Sequence, residues 1–120
     1  MRNSIALAVL LSVACASVHA ITIDAKALAR FDVSYAKCEA RFPSMRGHRD
    51  EAYLSLWRVQ LDDKARAQLK ASRSSPEYRA ESRRALRPVD KSASATAASR
   101  LEQQCQALWA ETQRVTKGKQ

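Results

Sequence analysis

Large apolar residues recur at Leu28, Phe31, Tyr35, Cys38 and Phe42, in steps of three and four that trace one stripe of a helix between Asp24 and Phe42. Pro43 disfavours helical geometry in the residue before it and supplies the stop. The following "PSMRGHR" contains a Pro and a Gly and reads as a turn. Asp50 and Glu51 then place negative charge at a helix start, where the macrodipole favours it, and Leu54, Trp57, Leu61, Ala65 and Leu69 continue a second stripe over about residues 48–73. On its solvent side Asp62 and Arg66 stand four apart and are expected to pair.

Ser75-Pro76-Glu77 combines a capping hydroxyl, a proline at the first helical position and an acid in the first turn, which together open a third helix. Tyr78, Ser82, Ala85, Leu86 and Val89 give it a thin buried face. The last stripe, Ala98, Leu101, Cys105, Leu108, Thr112 and Val115, again steps by three and four. The low-complexity "SASATAAS" at 92–99 suits a helix start, with a serine to cap it and alanines to propagate it. Alternating strand patterns of useful length and internal repeats are absent, so the expected class is all-α. Trp57, Trp109, Phe31 and Tyr35 sit at core spacing and are expected to pack rather than to stack a ligand.

The first twenty residues, "MRNSIALAVLLSVACASVHA", run from Arg2 through an apolar stretch to Val18-His19-Ala20, the order of a secretory signal peptide. Cleavage after Ala20 is expected, and 21–120 is read as a single helical domain with a short frayed C-terminal tail. The apolar stretch is too short to anchor the chain across a bilayer. "LSVAC" offers a rival lipoprotein cut at Cys15, but Ser12 stands where that motif wants a large aliphatic residue. Removing Cys15 with the leader turns three cysteines into a pair, Cys38 and Cys105, and an exported chain is expected to join them. The chain needs that support. Leu, Ile, Val and Phe make up 16 of residues 21–120, against a net charge of +8 from 20 Lys and Arg and 12 Asp and Glu.

A disulfide also constrains topology, because its Cα atoms must lie within about 7 Å. In an up-down-up-down path, a second helix descending about 38 Å and a third climbing back about 22 Å would leave Cys105 far from Cys38. Residues 76–116 are therefore expected to keep rising as one long helix, kinked near Pro88 and parallel to the first. The result is a small bundle of three helices, or four segments if the kink divides the last.

Chemistry-bearing motifs are scarce. His48 in "RGHRDE", with Asp50 and Glu51, matches no standard metal-ligand spacing, and it lies in no nucleophile motif. Gly47 and Gly118 are the only glycines, so there is no phosphate-binding loop. No cofactor or metal is expected, and the protein is read as non-catalytic. Charge is the remaining signal. Nine basic residues between Lys64 and Lys91 face three acids, and Arg79, Arg83, Arg84, Arg87 and Lys91 fall within thirteen positions. Such a run is commonly just a solvated face. As a site it would meet an anionic envelope component or an acidic protein, with peripheral membrane contact open to it and nucleic acid not expected in a periplasmic or secreted setting. Two alternatives stand beside this reading. One is a periplasmic inhibitor or immunity-type protein that plugs a cell-wall enzyme with "SMRGHRD"; the other is a glycan-acting enzyme built on two carboxylates.

Overall fold

The computed structural model describes residues 22–86 and 95–118, all of whose regular structure is helical. The expected signal peptide, the Cys15 alternative, Pro88 and Val89 lie outside the described residues. Five helices follow one another: α1 (Ala25–Arg41), α2 (Arg49–Ser55), α3 (Asp63–Arg73), α4 (Pro76–Ala85) and α5 (Ala95–Lys117). Asp24 caps α1 by accepting the Lys26 and Ala27 amides on Oδ1. Phe42, ahead of Pro43, is extended and ends the helix as expected. The turn that follows holds a short 3₁₀ segment, Pro43–Met45, and takes Gly47 to φ +83°, a backbone that favours glycine. The Tyr35 phenol donates to the Met45 carbonyl at 2.7 Å and fastens this turn to α1.

The single helix expected over 48–73 is two helices. The amide of Val59 bonds to the Leu54 carbonyl and that of Arg58 to the Ser55 carbonyl, with Arg58 left-handed at φ +55°. This is the Schellman arrangement, and Val59 packs back on the cluster that contains Leu54. The left-handed position is usually a glycine; an arginine there hides the stop from the sequence. Asp62 does not pair with Arg66. Its carboxylate accepts the Ala65 amide at 2.7 Å and caps α3, with Asp63 in the first turn. Ser75 likewise caps α4 ahead of Pro76, in agreement with the sequence.

The two cysteines are joined, with Cα atoms 5.5 Å apart across a sequence separation of 67. The helices that they join are antiparallel, which overturns the parallel arrangement. Glu102 pairs with Arg41, Cys105 meets Cys38, and Trp109 lies against His48, so α5 descends along α1 and follows α2. α4 instead runs in the same sense as α1: Ser75 and Glu77 share a cleft with Ile23 and Lys26, and Glu81 reaches Arg30. Residues 76–116 are therefore not one rising helix: α4 and α5 are separate elements that run in opposite senses along α1. The expected parallel path rested on a long unbroken second helix. With that helix divided at Arg58, the large descent does not exist.

Two clusters form the core. Leu28, Tyr53, Leu54, Ala65 and Leu69 make one, and Tyr35, Cys38, Met45, Ala52 and Cys105 the other, with Phe31 packed against both. Trp57 is 50% exposed and Leu86 69% exposed, contrary to their expected burial. On α4 the buried residue is Glu81 instead. Asp32, 3% exposed, ties the helices together: it accepts Nε and Nη2 of Arg73 and the phenol of Tyr78, while Arg73 Nη1 donates to Asp50 at 2.6 Å. Burial works against the Arg73 charge, but its hydrogen bonds to Asp32 and Asp50 outweigh burial and raise its pKa.

All three tyrosines titrate above the ordinary phenol. Burial, then the Glu39 charge, pushes Tyr35 up to about 12; burial, then Asp24, raises Tyr53; burial, then the hydrogen bond to Asp32, raises Tyr78. The unfolded chain loses these protons near pH 10, before the folded one. This contribution to stability is therefore complete below pH 10 and is lost as the pH climbs towards about 12. An absorbance titration of the folded protein should show the three phenols ionising at higher pH than free tyrosine. A normal step before unfolding would contradict this packing.

Candidate functional site

Position around each helix decides what its basic residues can do together. On α4, Tyr78, Glu81, Ser82 and Ala85 turn inward. That places Arg79 and Arg83 on one flank and Arg84 about 100° round from Arg83. Arg79 donates to the Ser74 carbonyl at the end of α3, at 2.8 Å. Arg83 is exposed and forms no ion pair among the described residues. Arg84 turns the other way, to Glu81 at 3.3 Å. Of the five residues singled out by their density along the chain, the three that are described do not all share one face. Arg79 and Arg83 share a flank, Arg84 faces elsewhere, and Arg87 and Lys91 lie outside the described residues.

Arg84 meets a basic stripe that the density of charge in 64–91 did not reveal. Glu81, 6% exposed, sits between Arg84 and Arg30 of α1, the latter at 3.7 Å. Lys26, Arg30, Lys37 and Arg41 are all exposed and fall within about 60° of one another around α1, along about 22 Å of its length. The spaces between them hold Val33, Ser34, Ala36 and Ala40. Both acids of the helix point elsewhere: Asp32 is buried, and Glu39 accepts Arg49 at 2.6 Å. Among the described residues only Glu81 and Glu102, from α4 and α5, form ion pairs with the stripe, and Lys26 and Lys37 have no ion-pair partner. The signal was present in the sequence as the spacing 26, 30, 37, 41, diluted by the acids at 32 and 39 that the helix turns away.

Other polar residues have structural employment. His48 Nδ1 lies 3.2 Å from Glu51 Oε2, and Asp50 accepts Arg73. Among the described residues no three His, Cys, Asp or Glu side chains converge as a metal site would require. The turn "SMRGHRD" is tied down through Met45 and through Arg46 and Arg49 to Glu39, leaving Ser44, Arg46 and Gly47 exposed. No described helix is long and apolar enough to cross a membrane.

The fold and surface together define a disulfide-stapled all-α protein that carries a basic stripe on its first helix. Comparison with known protein families, curated proteins and solved structures found no match to the chain.

Proposed function

We propose that this is an exported, non-catalytic binding protein that engages an anionic envelope component through the outer face of α1, with Arg84 at its margin. The observation that carries the reading is the line of Lys26, Arg30, Lys37 and Arg41 on one face of α1, a face on which the helix itself places no acid and where Lys26 and Lys37 have no ion-pair partner among the described residues. Folding does not require it, since neutral side chains would propagate the helix about as well. Glu81 and Glu102 offset Arg30 and Arg41 only in part, and the unpaired Lys26 and Lys37 leave a positive face that a partner with phosphate or carboxylate groups would neutralise. Two arginines in the line offer forked donors to such groups. The absence of exposed large apolar side chains along the stripe implies contact at a charged surface without insertion. Export is supported by the leader-like N-terminus and by the disulfide between the two remaining cysteines.

The flanks can be separated by substitution. A Lys26→Gln/Arg30→Gln/Lys37→Gln variant should keep its helical content yet lose affinity for vesicles rich in phosphatidylglycerol by about a hundredfold, at about 1 kcal/mol per charge. Its binding should also depend less steeply on salt. An Arg79→Gln/Arg83→Gln/Arg87→Gln variant should bind almost as the parent does. If the second variant loses affinity and the first does not, the contact runs through α4; if neither does, both faces are merely solvated.

A further inference from the structure

On the side of the molecule away from the α1 stripe, α2 and α5 run side by side in the same direction and leave a groove between them. One bay, of about 270 Å³, is bounded by His48 and Glu51 on one wall and Trp109, Gln113, Thr116 and Lys117 on the other. Glu51 and Thr116 also border a second bay of about 260 Å³, which reaches Gln60, Leu61 and Arg66. Glu51 and Thr116 thus form the boundary that the two bays share.

The lining restricts what can occupy it. Trp109 is half-buried against the disulfide cluster, and the His48 ring lies 5.3 Å from it, so the indole is held in place before any ligand arrives. Around it stand amides and hydroxyls. Gln113 forms no hydrogen bond among the described residues and offers both donors and an acceptor. The Thr116 hydroxyl donates to the Thr112 carbonyl and keeps its lone pairs for an incoming donor. One oxygen of Glu51 faces His48, which leaves the other to accept. A wholly apolar ligand would strip water from these groups and pair none of them. An anion would meet the Glu51 carboxylate at the junction of the bays, and a cation would meet Arg66 and Lys117 at either end. What satisfies every group is a neutral molecule with an apolar face for the indole and a rim of hydroxyls that both donate and accept.

We propose that the groove binds a neutral glycan of disaccharide size, with one ring against Trp109 and hydroxyls shared among Glu51, Gln113 and Thr116. This site is independent of the basic stripe on α1, and the two are expected to function without each other.

The two tryptophans allow a clean test. In a Trp57→Phe background, whose substitution lies on a half-exposed turn outside the groove, Trp109 is the only indole. Titration with N,N′-diacetylchitobiose and with maltose should shift its fluorescence saturably for at least one of them. Gln113→Ala, at an exposed position that folding does not need, should weaken that binding about tenfold, and Glu51→Gln should weaken it as well. Vesicle binding by both variants should be unchanged. Absence of a saturable shift with either disaccharide at tens of millimolar overturns the proposal. So does a saturable shift that neither substitution alters, because the sugar would then be bound elsewhere.

Discussion

Replacing Asp32 with Ala should destabilise the protein by about 3–5 kcal/mol, read as a fall in the midpoint of urea unfolding. Asp32 comes from α1, its Arg73 partner from the end of α3, and Tyr78 from α4, while Arg73 also holds Asp50 of α2. Removing the carboxylate leaves a partly buried guanidinium with one partner instead of two, and deprives the half-buried Tyr78 phenol of the acceptor it donates to. Those stranded groups account for the cost, more than any attraction within the intact pair. Asp32→Asn should cost less, since one carbonyl oxygen can still accept. An Asp32→Leu/Arg73→Met/Tyr78→Phe variant should recover much of the loss, because nothing polar would then remain unpaired except Asp50, which water reaches. A change below about 1 kcal/mol for Asp32→Ala would mean that solvent replaces the network and that the helices are held by apolar packing alone.

Loss of the Cys38–Cys105 bond should have a comparable effect. The bond closes a separation of 67 residues, for which the chain-entropy model gives about 4 kcal/mol, similar to the whole stability of a marginal domain. Both cysteines are buried in the cluster that seats Leu101, Leu108 and Trp109, so the cost should fall first on the docking of α5. A Cys38→Ala/Cys105→Ala variant should unfold at much lower urea than the parent, with Trp109 more exposed before the main transition. Denatured, unreduced parent chain cleaved after Ala20 should take up no thiol reagent. Equal midpoints for parent and variant would show that apolar packing alone suffices to hold α5.

The extent to which this molecule is legible in its sequence follows the reach of the forces involved. The stripe of α1, its end before Pro43 and the start of α4 at Ser75-Pro76-Glu77 depend on groups within a turn or so of each other, and they read correctly. Asp62 acts over the same short range. Its spacing from Arg66 suggested a salt bridge, but the unpaired amides of a new helix start had the stronger claim on its carboxylate. The α2 stop was hidden because Arg58 accepts a backbone usually left to glycine, held there by the return of Val59 to the core. Cysteine arithmetic paired Cys38 with Cys105 without any geometry. The candidate surface was only half legible, because charge density along the chain selects Arg79 to Lys91 whereas a partner meets charges that share a face.

By itself, then, the sequence determined the helical class, most helix starts, the disulfide and the excess of positive charge, all set by composition or by contacts within a few residues. Tertiary structure alone decided that α5 descends along α1, that Asp32 gathers partners 41 and 46 residues away, and that Arg84 turns towards Arg30 while Arg79 and Arg83 turn from it. Those outcomes depend on which apolar faces meet and on which buried charge must find a partner, and both are settled only when distant segments pack.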